Sequence, residues 1–178
     1  LPPETARSIA LLAELGRQRQ ARERERAGIS HNLPAQRVEE EADGTYRLAF
    51  ELPLPVEGWN AQLSLLTGIV AGRTMVEAEV GILRTLPAAA PDAITTLRRT
   101  ARALGLSWPR EQPYPAFVRG LAGDASPRAA AFLIQAAHTL RGAGYAGFDG
   151  TVPDHPEHGA IASVYAHVTA PLRRLVDR

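Results

Sequence analysis

The sequence predicts an α+β fold in which helices dominate. Three observations carry that prediction. Long stretches place apolar residues at helical spacing, prolines and glycines punctuate those stretches as starts and stops, and one Asp-Gly pair joins two alternating segments. The 178 residues suit one domain with a sizeable core.

Composition excludes several classes. The net charge of +1 gives no global basic field. All 20 cationic residues are arginine. In so alanine-rich a chain, that fits GC-rich coding better than selection for phosphate binding. Cysteine is absent, which excludes disulfides and thiolate metal sites. No apolar run approaches the ~20 residues needed to span a bilayer, and no signal-peptide pattern appears. A cytoplasmic location is therefore expected by default. The first residue is not methionine, and Arg178 falls inside the last expected helix. A segment cut at both ends from a longer protein is expected.

Pro2-Pro3-Glu4 opens a helix expected to reach about Arg26, with Gly28 as its stop. Ile9, Leu12 and Leu15 give its first half an apolar face. Arg17 to Arg26 mixes Arg with Gln and Glu, a pattern that suits a nucleic-acid backbone less well than a solvated helix end with internal ion pairs. Gln36 to Glu41 and Thr45 to Leu52 read as strands joined at Asp43-Gly44. Tyr46, Leu48, Phe50 and Leu52 alternate onto one face, which is expected to pack on the core. Pro53 and Pro55 end the second strand.

Asn60 to about Val80 reads as the central buried helix, with Leu63, Leu66, Ile69 and Val70 as its stripe. Gly68 and Gly72, four apart, predict a closely packed neighbouring helix. Ile82 to Arg84 is a short extended piece before Pro87. Helices are expected over Asp92 to Leu104, Pro113 to Leu121, and Ser126-Pro127 to about Arg141, with Gly105 and Gly142 as stops. Gly142 to Gly150 reads as loop or short strand. His158 to Val168 reads as a strand that places Ser163, Tyr165 and His167 on one face.

The last stretch, Tyr165 to Arg178, reads as an extended segment turning into a helix at Pro171. Thr169 or Ala170 would be the N-cap, with Arg173 and Arg174 in the first turn. Free N–H groups at a helix start, joined by guanidinium forks, suit an anion such as phosphate. Asp154-His155-Pro156-Glu157-His158 invites a metal reading. Pro156 rules out regular helix there, and no third ligand follows at a recognisable spacing. No P-loop, Gly-x-Ser-x-Gly or magnesium-holding aspartate cluster is present, so the residues form no complete catalytic set.

The motifs nonetheless resemble a known family. Leu140-Arg141-Gly-Ala-Gly-Tyr145, His158-Gly-Ala-Ile-Ala and Tyr165-Ala-His167-Val-Thr169-Ala-Pro171-Leu-Arg173-Arg174-Leu-Val-Asp177 resemble the end of the RNB catalytic domain of RNase II and RNase R exoribonucleases. There the run commonly reads H-F-G-L-A and then Y-x-H-F-T-S-P-I-R-R-Y-x-D-L. The helix from Asn60 and Gly81-Ile-Leu-Arg84 resemble its E-E-x-M-x-x-A-N helix and the arginine segment after it. The helix before Gly28 resembles its segment ending in L-x-x-x-R. Residues 1–178 would then be the C-terminal portion of one RNB domain.

The resemblance implies 3′-to-5′ hydrolysis of single-stranded RNA to nucleoside 5′-monophosphates. It also implies Mg²⁺, held by aspartates that precede this region in the family. Arg173 takes the place of the arginine beside the scissile phosphate, to bind it and offset its growing charge. Tyr165, His167, Thr169 and Arg174 would line the same end of the RNA channel, and Arg84 and His158 match further RNA-binding positions. Ala61-Gln62 replaces the family's paired glutamates, while Val168, Ala170 and Leu175 stand for Phe, Ser and Tyr. Two other readings remain open: an RNA-binding or regulatory relative without catalysis, and a helical interaction domain.

Overall fold

A computed structural model describes residues 2–30, 35–51, 53–121, 123–124 and 126–178. The fold is α+β, with five helices and six short strands among the described residues.

Helix α1 (Pro3–Glu25) starts on a proline whose missing N–H costs nothing there. Its stop is Ala27, at φ 60°, rather than the glycine behind it. Gly28 N–H then reaches back to the Glu23 carbonyl at 2.9 Å. Strands β1 (Ala35–Glu40) and β2 (Tyr46–Glu51) form the expected antiparallel hairpin. Asp43 accepts from Thr45 N–H at 3.0 Å, and Gly44 takes φ 80°. The expected burial of the hairpin face fails, because Tyr46 is 69% and Leu48 63% exposed. Leu52 and the Phe50 side chain lie outside the described residues. Alternation tells which side chains share a face; it does not tell whether anything covers that face.

Helix α2 (Pro55–Glu77) begins five residues before the expected Asn60, since Pro55 is its first helical residue rather than a strand terminator. It crosses α1 closely. A β-carbon on Gly16 would lie 2.4 Å from the Trp59 side chain. Strand β3 (Val80–Thr85) follows directly and pairs antiparallel with β4 (Gly144–Asp149), setting Arg84 opposite Tyr145.

Three helices form the main apolar core: α3 (Pro91–Ala103), α4 (Tyr114–Gly120) and α5 (Pro127–Ala137). The core therefore sits here rather than along α2, whose Val70 is 53% exposed. Trp108 stacks on Phe117 at 4.4 Å, and Phe132 meets both rings edge-on. Ser126 caps α5 by accepting from Ala129 N–H at 3.2 Å. The helix stops at Ala137, short of Arg141. The Thr139 hydroxyl donates to the Ala136 carbonyl at 2.7 Å, and the Tyr114 hydroxyl reaches the same atom at 3.3 Å.

The expected strand from His158 to Val168 is broken. Strands β5 (Glu157–His158) and β6 (Ser163–Val164) pair with each other around a tight turn. Ile161 and Ala162 both donate N–H to the His158 carbonyl, at 2.9 and 2.8 Å.

Candidate functional site

The Gly68 and Gly72 pair receives an extended segment, not the expected helix. A β-carbon on Gly68 would lie 2.1 Å from the Tyr165 ring and 2.7 Å from the Ala166 carbonyl oxygen. One on Gly72 would lie 2.9 Å from Tyr165 N. Small side chains signal close approach without specifying what approaches. Ala166 N–H donates to the Gly68 carbonyl at 2.9 Å, and Arg84 N–H donates to the Tyr165 carbonyl at 2.8 Å. Tyr165-Ala166 is thus wedged between α2 and β3, with Tyr165 buried.

That wedge gathers the candidate residues. The Arg84 guanidinium lies 4.6 Å from the Tyr145 ring centroid, directly across the β3–β4 ladder. The Tyr145 hydroxyl is 2.8 Å from His167 Nδ1. His167 meets the Tyr165 ring edge-on at 5.6 Å, and Tyr165 meets His158 at 5.9 Å. Arg84, Tyr145, His167, Tyr165 and His158 therefore form one chain of contacts. Tyr145 is the member that sequence reading missed as a site residue. The signal available was its place at the end of the Leu140–Tyr145 motif, in a glycine-rich run whose pattern did not distinguish strand from loop.

The last segment differs from expectation. One helical turn forms, with Arg173 and Arg174 N–H both reaching the Ala170 carbonyl, at 3.1 and 3.0 Å. It does not continue: Arg174 is extended, and only a 3-10 turn follows at Leu175–Asp177. The Asp177 carboxylate explains the stop. It accepts from Ala170 N–H at 2.7 Å and takes a two-pronged bond from Arg174, at 2.7 and 2.9 Å. The anion expected at this turn is supplied by the chain itself, and Arg174 is committed to it. Thr169 is exposed and caps no helix. Arg173 is different: its guanidinium stands in solvent, with no hydrogen bond or ion pair among the described residues.

The electrostatics are those of a cationic site holding neutral imidazoles. Burial lowers the pKa of His167, and the positive fields of Arg174, Arg84 and Arg173 lower it further, against the opposing Asp177. Burial lowers His158 as well, followed by Arg84. The His158 Nδ1 is buried without a partner among the described residues. Burial raises the Tyr165 phenol, so it stays protonated. Arg174 holds Asp177 below its ordinary range, which keeps that carboxylate ionised.

The histidine shifts give a stability prediction. The unfolded chain binds protons at about pH 6.5, whereas the folded chain resists them until lower pH. Stability should therefore fall as pH drops below about 6.5, and level off under the folded-state values. Urea midpoints measured between pH 7.5 and 5 should show that decline, and the double variant His158→Gln/His167→Gln should flatten it. A wild-type midpoint constant over this window contradicts the shifts.

The Asp154–His158 run makes no centre. Asp154, His155 and Glu157 line an open cavity of about 640 Å³ with Pro87 and Gly142. His158 instead bridges to Leu86. Among the described residues no three His, Asp or Glu side chains are grouped to hold a metal ion. Nor is any described helix long and apolar enough to cross a membrane.

No protein-family model matches the chain, and no curated protein matches it. Solved structures do. RNase R from Mycoplasma genitalium in complex with ribose-methylated single-stranded RNA superposes with a TM-score of 0.73 at 18% identity, over 97% of this chain and 27% of that one. Its complex with double-stranded RNA gives 0.72 at 19% identity, over 96% and 30%. An active-site mutant of the Dss1 exoribonuclease from Candida glabrata gives 0.60 at 13% identity, over 99% and 21%. The chain thus has the fold of a part of these exoribonucleases and spans about a quarter of the RNase R length. The likeness to an RNB domain stands at the level of fold.

Proposed function

We propose that this chain is the C-terminal portion of an RNB-type domain, serving as the RNA-holding part of a 3′-to-5′ exoribonuclease that releases nucleoside 5′-monophosphates from single-stranded RNA. One observation carries the reading: Arg173 is exposed and makes no hydrogen bond or ion pair among the described residues, six residues after His167, whose ring meets Tyr165 and whose Nδ1 meets the Tyr145 hydroxyl. Arg173 is the group free to grip a phosphate, and its two-pronged geometry suits the charge that grows on phosphorus-bound oxygens. Tyr145, Tyr165 and His167 offer ring faces and edges beside it, the surfaces against which unpaired bases stack. Arg174 acts by holding the turn through Asp177, and Arg84 by supporting the Tyr145 ring. The fold shared with RNase R, solved with single- and double-stranded RNA, supports the same substrate class.

The described residues do not fit a Mg²⁺ centre, which needs carboxylate oxygens they do not group together. The ligands of that ion are proposed to lie outside this chain. The chain is expected to bind RNA without cleaving it. A non-catalytic RNA-binding relative is the second reading, favoured by Ala61-Gln62 at the place of the family's glutamates.

Binding of labelled poly(A) tests the proposal. Arg173→Ala should weaken it about tenfold, the worth of one charge-assisted bond of ~1.5 kcal/mol. The slope of affinity against salt should become shallower by about one counterion. Unmeasurable binding, or the same affinity in Arg173→Ala, overturns the RNA reading. Monophosphate release by this chain in Mg²⁺ would instead overturn the absence of a carboxylate centre.

A further inference from the structure

A second cationic site lies between α1 and α2. Arg19, Arg22 and Arg26 recur along one face of the end of α1, and Arg73 meets them from α2 around a cavity of about 490 Å³. Leu66, Ile69 and Val70 form its apolar wall. Four guanidiniums face one lining acid, Glu25, and that acid is paired with Arg22 at 2.8 Å. The other nearby acid, Glu23, is buried and already bonded to Gln62 and Ser30.

The remaining arginines are short of partners. Arg26 spends Nε on the Ile161 carbonyl at 2.7 Å, yet its Nη2 is buried with no partner among the described residues. The Arg19 Nε is buried and unpartnered in the same way. Arg73 makes no hydrogen bond or ion pair among the described residues. A buried, unsatisfied donor on a charged group is costly, so the two on Arg19 and Arg26 call for an acceptor. Burial lowers the pKa of Arg26; Glu23 opposes that shift, while Arg19 and Arg73 add to it, so the cations are mutually repelling.

We propose that this cavity binds a phosphate group through Arg19, Arg26 and Arg73. Guanidiniums converging from two helices suit a tetrahedral anion with several oxygens better than a carboxylate, which one fork saturates. The apolar wall limits water on one side and strengthens the attraction. The site shares no residue with the Arg84–His167 cluster and stands independently of the RNA reading there.

The test follows the arginine Nε–H resonances of the full chain by NMR while inorganic phosphate is added. Those of Arg19 and Arg26 should shift saturably with phosphate, and not with chloride at matched ionic strength. Arg19→Gln/Arg73→Gln should lower phosphate affinity at least about tenfold with the far-ultraviolet circular dichroism unchanged. Arg73→Lys, which keeps the charge and the fold but loses the fork, should lower it less. A short single-stranded oligonucleotide that displaces phosphate identifies the source as a nucleic-acid backbone; phosphate that stays bound identifies a free or mononucleotide phosphate. A response that does not saturate, that chloride reproduces, or that survives undiminished in the double variant overturns the proposal. Arg173→Ala should leave the phosphate response intact, which separates failure here from failure of the RNA reading.

Discussion

Phe132→Ala should remove about 3–5 kcal/mol of folding stability, the usual cost of emptying a fully enclosed aromatic position. Phe132 is 0% exposed and sits where α3, α4 and α5 meet. Its ring lies edge-on to Phe117 at 5.1 Å and to Trp108 at 6.0 Å, so truncation removes two aromatic contacts as well as apolar area. The surroundings have little freedom to collapse into the gap. Trp108 is held by its indole N–H to the Gln112 carbonyl at 2.9 Å and covered by Arg98, whose guanidinium lies 4.3 Å from the ring. Arg98 is itself fixed by bonds to the carbonyls of Pro109, Arg110 and Gln112. Against a typical total of about 5–15 kcal/mol, such a loss leaves the chain marginal. The denaturation midpoint is the readout. Ile134→Ala on the same helix, at a position 51% exposed, is the control and should cost well under half as much. Equal losses in the two variants would mean that the three-helix core is not the principal source of stability.

What the sequence made legible divides along physical lines. Features set by a few neighbouring residues were readable. Pro3 and Pro127 open helices because their backbone suits a first turn, and Asp43-Gly44 closes its hairpin because glycine takes the positive φ the turn needs. Features that depend on a distant partner were not. Tyr46 and Leu48 alternate as an apolar face should, yet nothing among the described residues covers them. Pro171 and the arginines after it do start a turn, but Asp177 caps it with its own carboxylate. The site shows both cases. Tyr165 and His167 were expected on one face of a strand, and the structure does bring their rings together. They are assembled not by a strand's alternation but by a segment pressed between α2 and β3. Tyr145 joins from across a ladder that local signals could not reveal.

The pressing of that segment against α2 can be tested at one residue. Gly68→Leu should cost about 3 kcal/mol, at the upper end for overpacking a closed contact. Even the first added carbon would overlap the Tyr165 ring and also crowd the Ala166 carbonyl oxygen at 2.7 Å, so moving the ring alone does not make room. Backbone must move, and the movable part is Tyr165-Ala166. Its displacement breaks the bond from Ala166 N–H to the Gly68 carbonyl and the one from Arg84 N–H to the Tyr165 carbonyl. His167, two residues on, then leaves the Tyr145 hydroxyl. The variant should therefore lose more than stability: poly(A) affinity should fall at least as far as in Arg173→Ala, although no residue proposed to touch RNA has been altered. Thr67→Leu, at the preceding and exposed residue, puts the same side chain on the same helix turn and should leave affinity unchanged. A Gly68→Leu protein that binds RNA like the wild type would show that the glycine notch does not position the site. It would also show that the gathering of Arg84, Tyr145, Tyr165 and His167 is incidental to binding.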